Sequence, residues 1–297
     1  MPLHLSQSPL PMSAQADHYI LTLSCPDTTG IVHRVTGVLF DLGCNILDAQ
    51  QFGDADSGRF FLRVHFTLPE GVTPATLRQR FGELAEPFAM DWHIHDIRQR
   101  ARLLIMVSKQ GHCLNDLLFR ARSGQLPVDI VGIVSNHSAF AELSRSYGVP
   151  FHHLPVNPES KPDQERKILQ LVEELEVDLV VLARYMQILS ADMCRALEGR
   201  AINIHHSFLP SFKGARPYHQ AHDRGVKLIG ATAHYVTPDL DEGPIIAQGV
   251  ERVDHTMTAE ALAQVGSDIE SQVLARAVRS HVEHRVMLNA HRTVVFR

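Results

Sequence analysis

Five short, largely apolar runs between residues 101 and 204 constrain most tightly what this chain can fold into. Residues 103–107, 128–134, 151–156, 179–183 and 201–204 are each of strand length and apolar on both faces rather than on alternate positions. A strand buried on both faces needs a layer of helices on each side, the arrangement of a mostly parallel sheet. Helical stripes lie between the runs: Leu114, Leu117, Leu118 and Ala121, then Ile168, Leu171, Val172 and Leu175. The pattern predicts an α/β unit over residues 101–297, a doubly wound, mostly parallel sheet. Ligands of such sheets sit at the carboxyl ends of the strands.

The preceding segment follows another pattern. Residues 1–16 hold three prolines and no apolar periodicity, and are expected to form a flexible lead. From Asp17, Tyr19, Leu21 and Leu23 alternate; Ile31, Val35, Val38, Leu39 and Leu42 recur at helical spacing and stop at Gly43. A short strand is expected over 45–50. Phe60, Leu62, Val64 and Phe66 alternate as a strand with one buried face, Leu77, Phe81, Leu84 and Phe88 mark a second helix, and Trp92 and Ile94 a last strand. The order β-α-β-β-α-β over residues 17–97 predicts a ferredoxin-like domain, with a charged boundary at 96–102.

Composition removes several classes of function. With 28 Lys+Arg against 33 Asp+Glu the formal net charge is −5, which favours neither nucleic acid nor a membrane surface. No apolar run approaches the roughly 18–20 residues a spanning helix needs, and no signal-like leader is visible. The four cysteines are scattered, so a reducing, cytoplasmic setting is expected. The 19 histidines include adjacent pairs but no metal-ligand spacing, and no metal site is expected. Nucleophile-elbow, Walker and dinucleotide motifs are missing.

Two stretches carry residue types suited to chemistry. Residues 203–210, Asn-Ile-His-His-Ser-Phe-Leu-Pro, follow directly on a buried run, and Asn203 and His205 project to the same side of an extended chain. An amide donor beside an imidazole suits a carbonyl on which an oxyanion develops. Residues 233–244 lead from a strand through Val236 and Thr237 into an acidic loop, Leu240-Asp241-Glu242-Gly243-Pro244, able to set a carboxylate against His205. A third stretch, 182–189, reads either as a strand-to-helix connection or as a ligand-binding loop. Pro26–Gly30 likewise reads either as a tight turn or as a set of N–H groups offered to a carboxylate.

Together these motifs resemble known families. Residues 25–32 with Gly43-Cys44-Asn45-Ile46 resemble an ACT domain, which implies a candidate amino-acid effector site at Asp27, Gly30 and Asn45. Asn203, His205, Ser207, Leu209 and Pro210, followed by His234, Val236, Thr237, Leu240, Asp241, Gly243 and Pro244, resemble the folate-dependent formyltransferases. That resemblance implies Asn203, His205 and Asp241 as the catalytic trio, and Met186, Gln187, Ile188, Leu189, Val236, Thr237 and Leu240 as folate contacts. The loop Ser108-Lys109-Gln110-Gly111 has one glycine and makes a poor phosphate cradle, and a basic RNA-binding domain is not expected after the last helical region. An ACT domain ahead of this second unit, with residues 205–214 and 230–235, resembles the formyltetrahydrofolate deformylase family. The resemblance implies hydrolysis of 10-formyltetrahydrofolate by water, giving formate and tetrahydrofolate in one-carbon metabolism and purine supply. It also implies no cofactor beyond the folate substrate and a homo-oligomer, a tetramer in expectation. The rival readings are a transferase with an amino or phosphate-bearing acceptor and a folate-binding sensor without turnover.

Overall fold

The computed structural model describes residues 17–210 and 217–297. The lead expected over 1–16, and the Ser211, Phe212, Lys213 and Gly214 end of the His205 motif, lie outside the described residues. The chain divides between Gln99 and Arg100 into two compact units.

The first unit runs β1 (Asp17–Pro26), α1 (Ile31–Asp41), β2 (Asn45–Asp54), β3 (Arg59–Leu68), α2 (Pro74–Ala85) and β4 (Asp91–Asp96). Its strands form one antiparallel sheet in the order β2-β3-β1-β4. Gly30, at φ 94°, turns the chain into α1 in a conformation open to glycine, and Gly43, at φ 71°, lies just past the helix end. Thr73 caps α2 by accepting from the Thr76 N–H at 3.1 Å, with Pro74 at the first helical position. Ile31, Val35, Leu39, Leu77 and Phe81 pack on Tyr19, Leu21, Leu23, Leu62, Val64 and Phe66 to make its core. The other face is less solvated than the alternation implied. Ile20, Phe61 and Arg63 are buried as well, because the minority register is itself partly apolar and Arg63 reaches Asp48 on β2.

The second unit runs β5 (Ala101–Val107), α3 (His112–Arg122), β6 (Val128–Ser135), α4 (Ala141–Tyr147), β7 (Phe151–His153), α5 (Lys161–Glu174), β8 (Leu179–Leu182), α6 (Ala191–Ala196) and β9 (Ala201–His205). It continues through α7 (Pro217–Asp223), β10 (Leu228–Tyr235), β11 (Ile245–Arg252), α8 (Ala259–Val282) and the hairpin β12 (Val286–Asn289) and β13 (Arg292–Val295). The large sheet is ordered β11-β10-β9-β8-β5-β6-β7. Strands β5 to β9 pair in parallel, and β10 and β11 add an antiparallel margin. The strand order reverses between β5 and β8, which opens a crevice at their carboxyl ends. The two faces of β5 feed two cores. Leu103, Ile105 and Val107 join the core that takes in α3 and α8, while Leu104 and Met106 join Ile168, Val172 and Met193 from α5 and α6. Strand β7 is shorter than the run 151–156 because Pro155 has no N–H to continue the ladder. The terminal hairpin had no signal in the sequence: Ala290 turns it at φ 53°, where glycine or asparagine is usual. Among the described residues no helix is long and apolar enough to cross a membrane.

Ile105 has no exposed surface and sits on β5, the middle one of the five parallel strands. Ile105→Ala is expected to destabilise the second unit by about 2–5 kcal/mol, read as a lower urea midpoint by circular dichroism.

Candidate active site

The polar residues of the site lie at strand ends because the central strands are apolar along their length. Asn203 and His205 end β9, beside His234 near the end of antiparallel β10, with Asn203 and His234 paired directly across the two strands. His205 Nδ1 lies 3.3 Å from Asp241 Oδ1, and both side chains are mostly buried. His234 Nδ1–H donates to the Tyr235 carbonyl at 2.9 Å, which leaves Nε2 to accept from Asn203 Nδ2 at 3.2 Å. That contact fixes which end of the Asn203 carboxamide is the donor.

Asp241 approaches from the loop after β10 with φ 58°, a left-handed conformation that aspartate tolerates. The loop is pinned by Gly243, where any Cβ would lie 1.7 Å from the Tyr235 carbonyl oxygen, and by Tyr235 N–H donating to the Pro244 carbonyl at 2.9 Å. The hydrogen bond from His205 holds the Asp241 carboxyl below its ordinary range despite burial. Residues 207–209 are fixed by Thr232, whose hydroxyl donates to the Ser207 carbonyl and accepts from the Leu209 N–H.

These groups line a cavity of about 680 Å³. Met186, Gln187, Ile188 and Leu189 follow β8, and Val236, Thr237 and Leu240 follow β10; all seven reach this cavity. Met186, Ile188 and Leu240 are more than half exposed, so they do not pack as core and instead present apolar surface at the cavity. The backbone of this stretch is partly committed: Met186 N–H donates to Ser108 Oγ at 3.1 Å and Gln187 N–H to the Tyr185 carbonyl at 2.8 Å.

The structure adds residues that the motifs did not single out as site residues. Arg184, Tyr218, Gln110 and His206 line the same cavity. Arg184 Nε donates to Gln110 Oε1 at 2.8 Å, Nη2 donates to the same oxygen, and Nε lies 3.4 Å from Glu270 Oε2. Tyr218 donates to Glu270 Oε1 at 2.7 Å and His112 Nε2 to Glu270 Oε2 at 2.7 Å. Burial opposes the Glu270 charge, yet His112, Arg184 and Tyr218 together keep its carboxyl below the ordinary range. Tyr218 reaches it only because residue 266 is glycine, where a Cβ would lie 2.1 Å from the phenol oxygen. His112, Cys113 and Glu270 bring three ligand-type atoms together, but the adjacent guanidinium and the burial that pushes the Cys113 thiol up oppose a cation there. Gly111 opens α3 against the ring of Phe140, 2.4 Å from a built Cβ, and Ser108 Oγ donates to Asn136, so this loop is engaged within the protein.

Arg184 has φ 64°, a conformation roughly 1–2 kcal/mol unfavourable for a residue with a Cβ. Two buried nitrogens on the cavity wall, His205 Nε2 and Arg184 Nη1, find no partner among the described residues. At the other sequence-identified location, Gly30 caps α1, Asp27 N–H donates to the Gly58 carbonyl at 2.9 Å, and Asn45 opens β2.

Burial pushes His206 down to about 3, helped by Arg184 and His205; it also lowers His234 and takes His281 down to about 4. The unfolded chain binds these protons near 6.5 and the folded one does not, so stability rises with pH between about 4 and 6.5 and is lost on acidification. His206→Asn is expected to flatten the fall of the urea midpoint between pH 6.5 and 4 by about one proton's worth of slope.

An amide, an imidazole and a carboxylate at the ends of adjacent strands, beside an apolar cavity, fit acyl or formyl chemistry, and comparison with known proteins agrees. Residues 101–278 match the Formyl transferase family model and residues 19–78 the ACT domain model, which makes the second unit a formyl transferase fold. The chain is 51% identical to a formyltetrahydrofolate deformylase of Corynebacterium sp. (strain P-1), over 96% of this chain and all of that one. It is 48% identical to that of Bacillus subtilis (strain 168) over 93% of each. A crystal structure of formyltetrahydrofolate deformylase from Burkholderia mallei superimposes with a TM-score of 0.91 at 54% identity, covering 95% of this chain and 100% of that one. The chain belongs to the formyltetrahydrofolate deformylase family.

Proposed function

We propose that this protein hydrolyses 10-formyltetrahydrofolate to formate and tetrahydrofolate, with Asn203, His205 and Asp241 as the catalytic residues. The observation that carries the proposal is the state of His205: Nδ1 faces the Asp241 carboxylate at 3.3 Å, while Nε2, on the cavity wall, has no partner among the described residues. Family membership supports the reaction, and the geometry supports the roles.

Asp241 accepts from Nδ1–H and so leaves the lone pair on Nε2, where it takes a proton from the attacking water. The imidazolium that forms is stabilised by the same carboxylate. As the formyl carbon becomes tetrahedral, Asn203 Nδ2 donates to the oxyanion, held in register by neutral His234. Collapse breaks the bond to N10; His205 returns its proton to that nitrogen, the formic acid formed gives up its remaining acidic proton to solvent, and formate and tetrahydrofolate leave.

Met186, Gln187, Ile188, Leu189, Val236, Thr237 and Leu240 form the folate site, with the apolar side chains against the pterin. Water is the acceptor because the loop at Ser108 and Gln110 is occupied with Asn136 and Arg184 rather than open to a phosphate. No cofactor or metal takes part. The formate produced serves purine synthesis in the cytoplasm. The first unit binds an amino-acid effector at Asp27, Gly30 and Asn45. Edge strand β2, with Ile46, Leu47 and Phe52 exposed, supports a homo-oligomer, taken as a tetramer.

The test is release of formate and tetrahydrofolate with no acceptor added. His205→Ala is expected to lower kcat about 10²–10⁴-fold and Asn203→Ala about 10²–10³-fold, with folded protein by circular dichroism. Asp241→Asn is expected to lower kcat and alter the shape of the pH–rate profile. Wild-type rate and profile in that variant would remove Asp241 from the mechanism. His234→Leu should lower kcat with little change in KM, since it frees the Asn203 amide to rotate.

A further inference from the structure

We propose that Arg184 forms a subsite for a small monocarboxylate in the cavity, beside His205, and that its occupant is the formate released by hydrolysis. The inference rests on the hydrolytic reading above for the identity of the anion, and on three observations for the site. Arg184 is more than nine-tenths buried, yet its Nη1 finds no acceptor among the described residues. A buried charged donor without an acceptor is costly and calls for one from a ligand. The same cavity wall carries His205 Nε2, the other unpartnered buried nitrogen on it, at the point where the new carboxylate is made. Third, the backbone at Arg184 is left-handed, where glycine would sit without strain, and a residue held in such a conformation points to function rather than to packing.

The ligand class follows from the guanidinium. It is planar, permanently charged and suited to carboxylate oxygens. Its existing partners do not satisfy it: Gln110 Oε1 is one neutral oxygen accepting from both Nε and Nη2, and Glu270, 3.4 Å from Nε, also accepts from His112 and Tyr218. The charge on Arg184 is therefore only partly matched from its buried side. Burial does most to keep His206 neutral and the Arg184 charge adds to it, so the guanidinium's field reaches the imidazole next to His205. A formate leaving the tetrahedral carbon has a monoanion's charge and an oxygen to place on Nη1, while the folate occupies the apolar remainder of the cavity. The subsite separates the two products before either leaves.

The experiment is inhibition of 10-formyltetrahydrofolate hydrolysis by added sodium formate on the full-length protein, with sodium chloride at equal ionic strength as the control and tetrahydrofolate inhibition measured in parallel. Formate is expected to inhibit the wild type beyond chloride. Arg184→Gln should raise its inhibition constant about 10- to 100-fold, with that of tetrahydrofolate changed less than about twofold, the weight of one charge-assisted hydrogen bond. Arg184→Lys, which keeps the charge without the fork, should fall between. Should Arg184→Gln not fold, Glu270→Gln decides: removing the competing carboxylate should tighten formate several-fold. Formate acting no differently from chloride on the wild type, equal formate inhibition in Arg184→Gln, or unchanged or weaker formate binding in Glu270→Gln would each overturn the subsite. A wild type that releases no formate would instead overturn the hydrolytic reading.

Discussion

The geometry of the second unit depends on the complete burial of its central strands. Because β5 and β8 are apolar on both faces, no polar side chain can be placed along their length without an unmet hydrogen bond. Polar residues of these two strands are therefore confined to their ends, and the reversal of strand order between β5 and β8 leaves those ends facing an open crevice rather than a packed helix. Gln110, residues 184–189, Asn203 and His205 converge on one cavity for that reason, although they are widely separated along the chain.

Within the cavity the buried charges fall into two sets. Around β9 and β10, Asp241 is balanced by His205, and His234 is held neutral so that it can accept from Asn203. Around α8, Glu270 is balanced by Arg184, His112 and Tyr218. His206 bridges the two sets in space: its ring is 5.1 Å from that of His205 and 6.2 Å from that of Tyr218, and burial keeps it uncharged. An uncharged imidazole there avoids a second cation close to Arg184, where repulsion at low dielectric would be largest. Each set leaves one buried nitrogen without a partner among the described residues, His205 Nε2 in the first and Arg184 Nη1 in the second.

Much of this was legible in the chain. The apolar runs gave the parallel strands, and the alternation after Asp17 gave the ferredoxin-like order, because burial periodicity is a local property of sequence. The pair Asn203 and His205 was visible since two residues apart on a strand share a face. The second set was not. Glu270 sits within a helical stripe, where one acidic residue among apolar neighbours carries no signal of its partners, and Arg184 lies in a stretch that also reads as a strand-to-helix connection. The far face of the first sheet, with Arg63 and Phe61 buried, was also hidden, since alternation reports which register is more apolar and not whether the other is covered.

The sequence by itself determined the two-part organisation, the order of the elements in the first unit, the parallel strands of the second and the resemblance to the family, and it put the candidate trio on two linked motifs, because each of these is encoded in residues close together along the chain. Tertiary structure decided which side chains meet: that His234 orients Asn203, that Gly266 lets Tyr218 reach Glu270, and that Arg184 faces its neighbours with one nitrogen to spare. Such contacts depend on distances and angles between strands and helices that pack only once the core has formed, and no local pattern of residues specifies them.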